Sequence, residues 1–191
     1  MSGIKNVMKN KDKILDISKR LKLSHIGSCL SILPILEEVY SKMEPYDKLQ
    51  LCGAHSHLAH LVVTDPDNAE EKIKKDIHCN RESGCDVSGG SLGHGGISLG
   101  IALARPDITV YLIETDGALN EGSCWEMLRL KKLLKVDNLK IIVNMNGYTA
   151  VEAIDRDELS MRLRAFCPDI DIRYTDNGEG FKGIGGHYKT I

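Results

Sequence analysis

Two short apolar runs, residues 109–113 and 139–143, flank a stretch with helical periodicity. The first run ends in Glu114-Thr115-Asp116-Gly117 and the second in Asn144-Met145-Asn146-Gly147. Two β-branched runs separated by a helical period predict a βαβ unit with parallel strands. Parallel strands deliver Asp116 and Asn146 to the same carboxyl edge of a sheet, the edge where ligands sit in doubly wound folds. One carboxylate and one amide oxygen beside a loop rich in backbone groups suit Mg²⁺ that also holds phosphate oxygens.

The same patterning continues on both sides of this unit. Residues 4–22 carry Ile4, Val7, Met8, Ile14, Leu15 and Leu21 among lysines, an amphipathic helix. Ser24-His25-Ile26-Gly27-Ser28 reads as a turn. A second helix presents Ile32, Leu33, Leu36, Val39, Tyr40 and Met43, with Pro34 in its first turn, and Pro45 closes it. Residues 48–52 read as a short strand, and Asn68 as the cap of a charged helix that runs to Lys75. Residues 76–96 are dense in glycine and poor in large apolar side chains. They lead into a helix at 97–104, an arrangement that offers backbone N–H groups to an anion. A helix at 157–166 capped by Asp155 or Asp157, a strand at 170–174, a glycine-rich loop at 176–186 and a last short strand at 187–191 complete the reading. The expected class is α/β: a doubly wound, mostly parallel sheet flanked by helices, in a single domain of residues 1–191.

Composition narrows the function classes. The chain has 191 residues, 42% hydrophobic and 27% charged, with a formal net charge of −2. That balance gives no reason to expect nucleic acid or an anionic membrane as partner. No apolar run approaches the ~20 residues that span a bilayer, and the basic N-terminus lacks a signal peptide's apolar core. A cytoplasmic protein is expected. None of the six cysteines has CxxC spacing. His78-Cys79 with Cys85 offers part of a zinc set, but no second ligand pair follows, so free thiols are expected.

The candidate chemistry is carried by a series of motifs. Thr115-Asp116-Gly117, Glu121-Gly122, Trp125-Glu126 and Asn146-Gly147-Tyr148 resemble the thiamine diphosphate-binding motif of the transketolase family, which begins Gly-Asp-Gly and closes with asparagine. Upstream, Ser24-His25-Ile26-Gly27-Ser28 is similar to the family's His-x-Gly-Ser turn, and Ala54-His55 to its Gly-His. His78 falls where the family has His-Pro, and residues 89–95, Gly-Gly-Ser-Leu-Gly-His-Gly, resemble its Thr-Gly-Ser-Leu-Gly-Gln-Gly loop. These matches keep the family's order from about residue 14 to 150. Thr115, Ala54 and His94 depart from the family's usual residues.

The resemblance implies thiamine diphosphate and Mg²⁺ (or Ca²⁺ or Mn²⁺) as cofactors. It implies that Asp116, Asn146 and the Tyr148 carbonyl bind the metal. Ser91, Leu92, Gly93, Gly117, Ala118 and His187 would join them in holding the cofactor. His25, His55 and His78 would be the catalytic residues, facing the substrate and handling hydroxyl protons, a task suited to imidazoles that titrate near neutrality. Glu121 and Glu126 are similar to acidic residues at the family's subunit interface. In the family, the glutamate that activates the cofactor comes from a pyrimidine-binding domain across that interface. Residues 1–191 are read as one diphosphate-binding module, and such a domain is not expected among them. The expectation is therefore a split transketolase: a separate C-terminal subunit carries the pyrimidine-binding domain, in an α₂β₂ heterotetramer that transfers a two-carbon ketol unit between sugars or sugar phosphates. The alternatives are a thiamine diphosphate-dependent decarboxylase or acyloin synthase of a specialised sugar pathway, and a non-catalytic regulatory homologue.

Overall fold

The computed structural model of the chain describes residues 2–82, 85–86 and 95–191, the first seven of these by backbone alone. Its centre is a four-stranded, all-parallel sheet: β1 (Lys48–Leu51), β2 (Val110–Thr115), β3 (Leu139–Met145) and β4 (Asp171–Tyr174), in that spatial order. Register pairs Leu51 with Ile113 and Thr115 with Asn144. Helices α1 (Ser2–Leu21), α2 (Ile26–Lys42), α3 (His57–Thr64) and α4 (Ala69–Lys75) precede or follow β1; α5 (Gly95–Ala104), α6 (Gly122–Leu134) and α7 (Arg156–Phe166) each precede or link later strands.

Strand alternation divides the core into two layers. Leu49, Leu51 and Ile113 pack on Ile14, Ile32, Leu36 and Leu61 of the N-terminal helices. Val110, Leu112, Leu139, Ile141 and Val143 pack on Leu99, Met127, Leu128 and Leu163 of α5, α6 and α7. In the strand order 1-2-3-4 the helices divide between the faces: α3 and α4 pack with α1 and α2 on one, and α5, α6 and α7 cover the other. The α/β architecture with helices on both faces is the one expected from the sequence.

Several local expectations are met. Asp155 caps α7, accepting from the Asp157 and Glu158 amides at 3.1 and 3.0 Å. All six cysteines are buried and none is in a disulfide.

Three expectations are corrected. Helix α2 begins at Ile26, so Pro34 lies in its interior and not in its first turn; the Leu30 carbonyl thereby loses its usual donor. Asn68 precedes α4 but does not cap it, because its side-chain amide turns back to Asp65 at 2.9 Å. Residues 187–191 form no strand. Gly183, at φ +79°, and a 3₁₀ turn at Ile184–Gly186 steer the chain back across the carboxyl edge, where the His25 amide donates to the His187 carbonyl at 3.0 Å.

Candidate functional site

Three adjacent strands each lead to a polar residue at this edge. β1 leads through Gly53 into a 3₁₀ turn, Ala54–Ser56, that carries His55. A Cβ on Gly53 would stand 3.0 Å from the Thr115 side chain, so glycine lets the turn approach the end of β2. β2 leads into Asp116, and β3 into Asn146. The Asp116 carboxylate joins the last two strand ends directly: it accepts from the Gly147 amide at 2.5 Å and from the Gly117 amide at 3.1 Å. Gly147 holds φ +88°, which makes the turn possible, and the Asn146 side-chain oxygen accepts from the Tyr148 amide at 2.9 Å. The loop closes on itself through Ile154 N–H to the Gly147 carbonyl and Thr149 N–H to the Glu152 carbonyl, both 2.9 Å.

His25 sits immediately before α2 in the left-handed region, φ 61° and ψ 21°, which is uncommon for a residue other than glycine and marks a constrained position. Ser24 Oγ lies 2.7 Å from its Nδ1. The imidazoles of His25, His55 and His187 form a triangle, with ring centroids 5.1, 4.5 and 5.3 Å apart. Tyr188 packs edge-on against His25 and His187 at 5.6 and 4.8 Å.

These elements enclose a cavity of about 440 Å³ lined by Asp116, Gly117, Asn146 and Tyr148 together with the three histidines. Sequence reasoning did not single out Tyr188, because only the fold-back of the C-terminal segment brings it here. His78 is exposed and lines an adjacent cavity of about 190 Å³, of which His25 and His55 form the shared wall. Ala118 is fully buried beneath the turn, its amide bonded to Thr115 Oγ1 at 3.1 Å, and does not line the main cavity. Glu121 lines the cavity, whereas Glu126 is exposed and paired with Arg129. Ser91, Leu92, Gly93 and His94 lie outside the described residues.

Burial sets the electrostatics. The Asp116 carboxyl is 1% exposed and is pushed up to about 6 by desolvation, against the pull of the Gly147 and Gly117 amides. Among the described residues no cationic side chain pairs with it. Burial, then the charges of His187 and His78, lower His25 to about 4. Burial, then His25, His187 and His78, lower His55 to about 3. Burial also lowers His187. The cluster is therefore neutral at physiological pH, with ring nitrogens that accept or relay protons.

The donor set fits a hard divalent cation carrying phosphate. Asp116, a buried carboxylate with no cationic partner among the described residues, lines one cavity together with Asn146 and Tyr148. At Gly117 a Cβ would meet only ordinary van der Waals contacts, the nearest being the Thr149 side chain at 3.6 Å. Packing within the chain does not demand glycine there, whereas a ligand close to the backbone would.

No protein-family model matches the chain. It is 27% identical to an apulose-4-phosphate transketolase subunit from Phocaeicola vulgatus, over 96% of this chain and 75% of that one. It is 28% identical to the 6-deoxy-6-sulfo-D-fructose transketolase subunit of a Clostridium species, over 82% of this chain and 70% of that one. The fold superimposes on the transketolase of Campylobacter jejuni with a TM-score of 0.68 at 21% identity, covering 85% of this chain but only 32% of that one.

Proposed function

We propose that this chain, similar over most of its length to two transketolase subunits, is the N-terminal, diphosphate-binding subunit of a thiamine diphosphate- and Mg²⁺-dependent transketolase. The observation that carries the reading is the buried Asp116 tied to the Asn146-Gly147 turn, in one cavity with His25, His55 and His187. In this reading Asp116, the Asn146 side chain and the Tyr148 carbonyl hold the cation, and Gly117 leaves room for the diphosphate.

When bound, thiamine diphosphate supplies the electron sink for the carbanion released as a ketose C–C bond breaks. The chain's own contribution is binding and proton management. Burial excludes water from the Asp116 side of the cavity and strengthens its hold on a cation. The neutral imidazoles of His25 and His55 accept and return protons at the substrate hydroxyls, and His78 extends that wall toward solvent. Two relatives are named as transketolase subunits, one for a sugar phosphate and the other for a sulfo-sugar. Their names support a transketolase subunit with a separate partner; in the proposed reading the partner carries the pyrimidine-binding domain, the assembly is α₂β₂ and the substrate is a sugar or sugar derivative.

The test is reconstitution. The full chain with thiamine diphosphate and Mg²⁺ transfers no ketol unit at enzymatic rates; adding a pyrimidine-domain subunit produces transfer from ketose to aldose. Enzymatic turnover by the chain alone would refute the split-subunit reading.

A further inference from the structure

Directly after the turn that carries His55 begins a second cluster that the proposed reaction does not use. His57 and His60 stand one turn apart on α3, on the same face. Cys79 and Cys85 come to them from the segment that follows α4. All four are buried, with exposures of 0, 1, 2 and 7%. One ligand atom from each of His57, His60 and Cys79 lies within 4.8 Å of the others. Cys85 Sγ lies 3.7 Å from the nearer ring nitrogen of His60.

The hydrogen bonding prepares His57 for a particular role. Its Nδ1 donates to the Asp76 carbonyl at 3.0 Å, which fixes the tautomer and leaves Nε2 with a bare lone pair. That Nε2 is buried and has no hydrogen-bond partner among the described residues. A buried orphan acceptor is costly and calls for a partner. An imidazole held by a backbone carbonyl at one nitrogen and open at the other is how metal-bound histidines are oriented.

We propose that His57, His60, Cys79 and Cys85 form a structural zinc site that clasps the segment after α4 to α3. Two thiolates and two imidazoles in a closed, buried set select zinc among the divalent metals. Zn–N and Zn–S bonds of ~2.1 and ~2.3 Å require ligand atoms ~3.3–3.8 Å apart, so His57, His60 and Cys79 draw closer and Cys85 joins them from beside His60 on binding. Binding releases the thiol protons to solvent.

The segment is already guided into place. The Cys79 amide donates to the Ala54 carbonyl at 3.1 Å, and Asp86 accepts from the Leu49 amide at 2.8 Å and the Lys48 ammonium at 2.9 Å. The clasp also has a bearing on the cavity. His55 is two residues before His57, and His78 is next to Cys79, so one metal would fix both walls that carry these histidines. The sequence hid the site because the second ligand pair precedes the Cys79/Cys85 pair instead of following it, and neither pair has the common zinc spacing.

The experiment is metal analysis of the full chain purified without chelators, together with Co²⁺ substitution of chain stripped of metal. The expected results are about one zinc per chain and a cobalt spectrum with thiolate-to-metal charge transfer and tetrahedral bands. Zinc is retained in Asp116→Ala, which removes the other cation ligand, and lost in the Cys79→Ser/Cys85→Ser double variant. Should that variant fail to fold, the cobalt spectrum of the unmodified chain decides. A cobalt spectrum without thiolate charge transfer, zinc retained by the double variant, or a Cys79–Cys85 disulfide in the freshly purified and alkylated chain would each overturn the proposal.

Discussion

At the scale of single residues, burial matters most at Asp116, His25 and His55. For both histidines the folded value lies below the ordinary 6.5, at about 4 and about 3. As pH falls the unfolded chain therefore takes up protons first. The stability these groups contribute is complete above about pH 6.5 and is lost as pH falls from there toward 3. Denaturant titrations across that range should show the loss, and His25→Gln or His55→Gln should flatten it; an unchanged slope would refute the neutral cluster. Asp116 has the opposite sign. Its folded value is raised from 3.8 to about 6, so its burial costs stability as pH rises through that window. Mg²⁺ with thiamine diphosphate should return that cost. Cofactor at ~100 times its Kd adds about 2.7 kcal/mol, readable as a rise in Tm at mildly alkaline pH that Asp116→Ala abolishes. The pairing of Asp116 with Asn146 was legible in the sequence because it depends only on two strand ends. His187 and Tyr188 were harder, because their place depends on the His25 amide meeting the His187 carbonyl, a contact across most of the chain.

At the scale of elements, the periodicity predicted β2, β3 and α7 closely, since their apolar positions alternate or recur without competing signals. Where it failed, local geometry overrode composition. Pro34 suggested a helix start, yet α2 begins at Ile26, where the left-handed His25 ends the preceding turn. The 187–191 stretch reads like a strand, yet it is turned back across the edge by Gly183 and the turn after it. Two elements carry measurable predictions. Asp155→Ala removes the cap of α7 and should cost about 1 kcal/mol in urea unfolding. Gly147→Ala forces a side chain into φ +88° and brings its Cβ to 3.3 Å from Arg156; a loss of ~1–2 kcal/mol is expected. It should also weaken cofactor binding, because this turn positions Asn146. A Gly147→Ala chain as stable as the original would contradict the turn geometry.

At the scale of the whole molecule, the sheet edge gathers one side of the proposed active site. The α2 entry, the β1 turn, the β2 and β3 ends and the C-terminal fold-back all converge there. The chain spans about a third of the solved transketolase it matches in fold. On the proposed reading, a partner chain supplies the pyrimidine-binding side, so ketol transfer should appear only with that partner present. The claim on which the account rests is narrower: Asp116 and Asn146 hold the cation that carries the cofactor's diphosphate. Calorimetric titration of thiamine diphosphate in the presence of Mg²⁺, with the partner chain present, tests it by comparing the unmodified chain with Asp116→Ala. Tight, Mg²⁺-dependent binding to the first and loss of that binding in the second are expected; equal affinity in the two would contradict the assignment of Asp116 as a cation ligand.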